Sequence, residues 1–113
     1  MTIIEKDTYS IVEDDKNNVN GFSNYLKNHA YNQIKGKNVI VNLLKYGELT
    51  LEELLGFLNL SNKHRQDKNS FVIVNDTINI DNIPDEMAIV PTLQEAVDYI
   101  QMEELERDFG LFE

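Results

Sequence analysis

Apolar and polar residues alternate along residues 2–6 and again along residues 8–13. A period of two predicts two short strands, read here as a hairpin across Asp7. Residues 14–18 form a polar break. Val19, Phe22, Tyr25, Leu26, His29, Ala30 and Ile34 then recur at helical spacing. Gly21 weakens that helix by up to ~1 kcal/mol against alanine, and Gly36 ends it. Residues 38–44 are a nearly continuous apolar run rich in β-branched side chains, the pattern of a strand buried on both faces of a parallel sheet. A second helix opens at Thr50, whose hydroxyl and the Glu53 carboxylate form a capping box. Its expected apolar stripe is Leu51, Leu54, Leu55 and Leu58. Lys63, His64, Arg65 and Lys68 fall near its C-terminal end, where positive charge opposes the macrodipole.

Residues 70–75 predict another buried strand, and residues 76–86, with Pro84, a polar irregular connection. Residues 87–91 predict a short strand closed by Pro91. Thr92 and Glu95 suggest a second capping box, ahead of a last helix striped by Leu93, Ala96, Val97, Ile100 and Leu105. Phe109, Leu111 and Phe112 are apolar enough to dock on the body of the protein. The order β-β-α-β-α-β-β-α predicts one α/β domain over residues 1–113. It would have a mixed, mostly parallel sheet of about five strands packed against three main helices.

Composition narrows the function classes. The chain has 113 residues and is 42% apolar, enough for one core without staples. It has no cysteine, which excludes disulfides and thiolate metal sites. The start of the chain lacks a basic segment followed by an apolar stretch. The longest apolar runs are about five residues, where a membrane helix needs about 20. A cytoplasmic address without membrane attachment is therefore expected. Residues 1–75 carry nine acidic and nine basic side chains, whereas residues 76–113 carry eleven acids against Arg107 alone. The whole net charge of −10 thus lies in the last third. Such a field repels nucleic acid and attracts a basic partner.

The element order and three local stretches resemble a STAS domain, the anti-sigma-factor-antagonist type. Residues 39–43 followed by 50–58 are similar to the family's central strand, loop and second helix. Residues 63–75 are similar to its basic helix end and next strand, and residues 87–96, MAIVPTLQEA, to its last strand and the start of its final helix. The resemblance implies a regulatory module that binds another protein. Many members carry Asp-Ser-Ser-Gly at the start of the second helix, with the first serine phosphorylated by a partner kinase. The matching positions here are Thr50, Leu51, Glu52 and Glu53, so Leu51 stands in the serine's place and cannot accept phosphate. Glu52 puts a fixed negative charge beside it. The family's third helix is replaced by the short connection at residues 76–86.

The chain also resembles short bacterial proteins often labelled ribonuclease Z. That enzyme needs a His-x-His-x-Asp-His cluster for two metals. This chain has only His29 and His64, so the activity is not expected of it.

Other candidate chemistry reads as structure. Ser61, His64 and Asp67 share one side of the second helix, where a solvated face accounts for them better than a nucleophile, base and orienter. Asp76, Asn79 and Asp81 cluster oxygen ligands without the glycine and terminal glutamate of a calcium loop. His29, on an apolar stripe, reads as a packed, hydrogen-bonded histidine. Neither a phosphate-cradling glycine loop nor a nucleophile elbow occurs. No cofactor or metal site is expected.

Ligands in open α/β sheets favour the carboxyl ends of the strands, which here places the loop at residues 42–50. The expected partner-binding residues are Lys45, Tyr46, Gly47, Glu48, Thr50, Glu52 and Glu53. The leading functional expectation is a non-catalytic protein-interaction module with a protein partner. The alternative is a small-ligand or nucleotide-sensing domain.

Overall fold

The computed structural model describes residues 1–110. Strands β1 (Thr2–Glu5), β2 (Ser10–Glu13), β3 (Val39–Asn42), β4 (Phe71–Val74) and β5 (Ala88–Val90) form one sheet in the order β1-β2-β3-β4-β5. β1 runs antiparallel to β2, and the other neighbours are parallel. The fold is the α/β architecture expected: a mixed, mostly parallel five-stranded sheet with three main helical segments. Among the described residues no helix is long and apolar enough to cross a membrane.

The continuous apolar runs divide by alternation between two cores. Val12, Val39, Val41, Phe71 and Ile73 turn toward one face. There they meet α1 (Val19–Asn28), α2 (Tyr31–Ile34), α3 (Leu51–Leu55) and α4 (Leu58–Gln66). Ile11, Ile40, Val72, Val74 and Ala88 turn the other way, onto Ala96 and Ile100 of α5 (Leu93–Asp108). A strand covered on both faces has no solvent side, so its sequence shows no polar alternation.

The expected hairpin forms, its turn at residues 6–9 containing Asp7 and closed by the Lys6 amide donating to the Tyr9 carbonyl at 2.9 Å. The structure departs from the expected pattern in several places. The first helix stops at Asn28 and restarts at Tyr31. Tyr25 and His29 end up exposed, their rings 5.8 Å apart, so His29 is not packed into the core. The second helix breaks at Gly56 and Phe57. That break moves the buried stripe from the four leucines to Leu54, Phe57, Leu60, Ser61 and His64, and it leaves Leu51 and Leu55 exposed.

Thr92 caps α5 through the Glu95 amide at 3.0 Å, but no return bond from Glu95 completes a box. Leu105 lies five residues past the buried Ile100, about 140° around the helix, and faces outward. Phe109 does not dock: it is 75% exposed. Leu111 and Phe112 lie outside the described residues.

Polar side chains tie the amino-terminal edge of the sheet together. Asn38 donates to the Thr8 carbonyl at 3.0 Å and to Glu104 Oε1 at 2.5 Å, and accepts from the Ser70 amide at 2.8 Å. Arg65 of α4 pairs with the buried Glu103 of α5 at 2.8 Å. The two helical layers are thereby linked around the edge of the sheet.

Candidate functional site

The carboxyl edge of β3 and β4 is built by asparagines. Asn42 ends β3, accepts from the Leu44 amide at 3.1 Å and donates to Glu13 Oε2 at 2.6 Å. A 3-10 turn follows at Leu44–Tyr46. Lys45 Nζ donates to the Asp14 carbonyl at 2.7 Å, and the Tyr46 hydroxyl donates to the Asp14 carboxylate. Burial and the Asp14 charge push the Tyr46 phenol well above its ordinary range, so it stays a donor. Lys45 and Tyr46, two of the expected partner contacts, are tied to the loop between β2 and α1, and Lys45 stays exposed.

Gly47 has φ +64° and ψ −126°, a conformation that side-chain-bearing residues rarely adopt. Its carbonyl accepts from Asn75 Nδ2 at 2.8 Å. Asn75, at the end of β4, also donates to the Leu43 carbonyl at 3.2 Å and accepts from the Thr77 amide at 3.0 Å. Thr77 Oγ1 lies 2.7 Å from Asn75 Oδ1 and 3.2 Å from the Gly47 oxygen, two acceptors sharing one proton. Asn75 and Thr77 were not singled out in the sequence. The available signal was an asparagine directly after each of two β-branched stretches, Asn42 after residues 39–41 and Asn75 after residues 71–74.

Beyond the loop, Leu49 plugs into the core and α3 begins. The capping box is complete: the Glu53 amide donates to Thr50 Oγ1 at 3.1 Å, and the Thr50 amide donates to Glu53 Oε1 at 2.9 Å. Thr50 and Glu53 are thus committed to the helix start. Glu48 and Glu52 stay exposed. Leu51 and Leu55, one turn apart, are 43% and 38% exposed beside them. The result is a rigid acidic edge carrying two apolar side chains. A groove of about 110 Å³ separates residues 48–54 from residues 77–83. Small-molecule sites usually occupy about 300–1,000 Å³.

The candidate catalytic residues do not form a relay. Ser61 and His64 are buried and Asp67 is exposed, which corrects the expected solvated face. The physical reason is the restart at Leu58, which turns Ser61 and His64 onto the sheet together with Leu60. His64 Nε2 donates to the Lys37 carbonyl, which fixes the proton on that nitrogen. Tyr31 and Phe71 pack edge-on against its ring, at 6.1 and 5.7 Å between centroids. Among the described residues, His64 Nδ1, Ser61 Oγ and the Tyr31 hydroxyl are buried without a partner. They sit inside the packed core, out of reach of a substrate.

Asp76, Asn79 and Asp81 are exposed, and Asn79 spends its carbonyl oxygen on the Asp81 amide at 3.0 Å. Among the described residues no three His, Cys, Asp or Glu side chains gather into a metal-binding group.

Burial pushes the His64 pKa down, against the opposing pull of the Lys37 carbonyl and Asp67. A histidine depressed in the folded state binds its proton more readily when unfolded. Its stabilising contribution is complete above the unfolded value of about 6.5 and is lost as pH falls below it. Glu5 and Asp15, lowered by Lys37 and by the N-terminal ammonium, act only at lower pH, below their ordinary carboxylate values. Urea unfolding should therefore show the wild type losing stability between pH 7 and pH 5, with a shallower loss in His64→Gln. Parallel curves for the two proteins would exclude His64 as the source.

The chain matches no family model and no curated protein sequence.

Proposed function

We propose that this chain is a non-catalytic protein-interaction module, a STAS-like regulator of the anti-sigma-factor-antagonist type that acts in the cytoplasm. It lacks the phosphorylatable serine and works through the edge formed by the residue 43–47 loop and α3. The observation that carries this reading is the pair Leu51 and Leu55. Both are exposed on a helix whose start is locked by a complete capping box, and both lie beside Glu48 and Glu52. Apolar anchors on a preorganised backbone, rimmed by charge, are what a protein partner needs. Little ordering entropy is then lost on docking. Leu51 stands in place of the family's phosphorylated serine, so the reading involves no phosphate at that position.

The test uses the full chain immobilised and exposed to lysate of its native cell. A stoichiometric partner should be retained. Leu51→Ser with Leu55→Ser should weaken retention at least tenfold, as should Glu48→Lys with Glu52→Lys, since none of these side chains supports the core or the cap. Retention unchanged in both double variants would sink the reading. A thermal-shift series with ATP and GTP covers the ligand-sensing alternative, because a ligand that binds only the native state raises its apparent stability.

A further inference from the structure

Helix α5 carries apolar side chains on two faces. Ala96 and Ile100 pack on the sheet, and Glu103 is buried with them in its pair with Arg65. Met102, Leu105 and Phe109 stand 62%, 56% and 75% exposed. Their spacing of three and four residues gathers them within about 60° of one another, roughly opposite the buried face. They make a stripe of large apolar groups on the solvent side of the last two turns. Such a stripe lowers solubility, and among the described residues it is left largely uncovered.

The charge around the stripe restricts what can cover it. Glu95, Asp98 and Asp108 are exposed and, with Glu106, border it. The sole cation of residues 76–113, Arg107, is turned inward, 3.2 Å from Ser70 Oγ. A second copy laid on this face would bring two acidic borders together. An anionic surface would be repelled in the same way.

We propose that the outer face of α5 is a second docking surface, and that it takes a lysine- or arginine-rich amphipathic helix from another protein. The partner's apolar residues at i, i+3, i+4 and i+7 pack against Met102, Leu105 and Phe109. Its cations meet Glu95, Asp98 and Glu106. This surface lies on the opposite side of the sheet from α3 and does not depend on the edge around Leu51. The local charge steers a basic segment to the helix, and the three apolar anchors hold it there.

The experiment titrates the full, isotope-labelled chain with a synthetic 18-residue peptide. The peptide carries leucine at i, i+3, i+4 and i+7 and lysine elsewhere, and a scrambled peptide of the same composition serves as its control. Saturable amide shifts centred on residues 98–109 are expected, with the scrambled peptide at least tenfold weaker. Met102→Ser with Leu105→Ser and Phe109→Ser should weaken binding at least tenfold, as should Asp98→Lys with Glu106→Lys. Leu51→Ser with Leu55→Ser should leave it unchanged, which separates this surface from the α3 edge. All these positions are exposed except the half-buried Glu106, and unchanged circular dichroism certifies the fold of each variant. Equal binding of the scrambled peptide, shifts centred elsewhere, or a dimer in sedimentation that the triple serine variant abolishes would each overturn the proposal.

Discussion

Phe57→Ala is expected to lower the free energy of unfolding by about 3–5 kcal/mol. Phe57 is fully buried at the break between α3 and α4, and its ring meets Phe22 edge-on at 6.2 Å with 73° between planes. Edge-to-face pairs add about 0.5–1.5 kcal/mol beyond area burial. Removing the ring leaves a cavity bounded by α1 on one side and the sheet on the other, where neither layer can collapse freely. Marginal stability makes such a loss large: small domains hold about 5–15 kcal/mol in total. Leu55→Ala, two residues away on the exposed side, should stay within about 0.5 kcal/mol of wild type. Urea midpoints at constant slope decide between them. If the two substitutions cost the same, α3 is phased differently from the description above.

That contrast shows which part of the fold local sequence could reveal. The buried strands β3 and β4 were legible because continuous β-branched runs have few other uses, and Thr50 because its partner Glu53 is only three residues away. The α3–α4 break was not. Leu51, Leu54, Leu55 and Leu58 fit an unbroken helix well, and only the tertiary approach of α1 reveals the interruption. A methyl group placed on Gly56 would sit 3.0 Å from Ser23 Oγ, so the two helices meet where only glycine fits comfortably. Once the chain turns there, Phe57 becomes the core residue and two leucines go to the surface. His64 follows the same logic. Its neighbours Tyr31, Lys37 and Phe71 come from three different segments, none visible in the spacing of residues 61, 64 and 67.

The loop after β3 lies at the carboxyl edge of the sheet, where the rule that strand carboxyl ends gather loops puts it. Its membership was only partly legible. The ties of Lys45 and Tyr46 were hidden because their anchor, Asp14, is more than thirty residues earlier. The outward stripe of α5 stayed hidden for a different reason. One helix with two apolar faces has weak amphipathic contrast, so Leu105 reads as core when judged from Ile100 alone.

Asn75→Ala is the second large expectation, a loss of about 2–3 kcal/mol from groups left unpaired in or near the interior. The side chain is buried and fully used. Its amide hydrogens go to the Leu43 and Gly47 carbonyls, and its oxygen takes the Thr77 amide. Alanine strands the Thr77 amide and frees Gly47, whose φ of +64° no side chain of its own helps to maintain. The energetic loss should therefore come with faster amide hydrogen exchange at Tyr46 and Gly47, measured under conditions where the β3 and β4 amides remain protected. Asn75→Asp separates shape from donor chemistry. At neutral pH a carboxylate would point an acceptor at two carbonyl oxygens, so it should be at least as damaging as alanine. Acidification restores one donor, and the gap between aspartate and asparagine should narrow as pH falls. A pH-independent gap would mean that Asn75 acts through its volume, and that the loop before α3 is held by Asp14 alone.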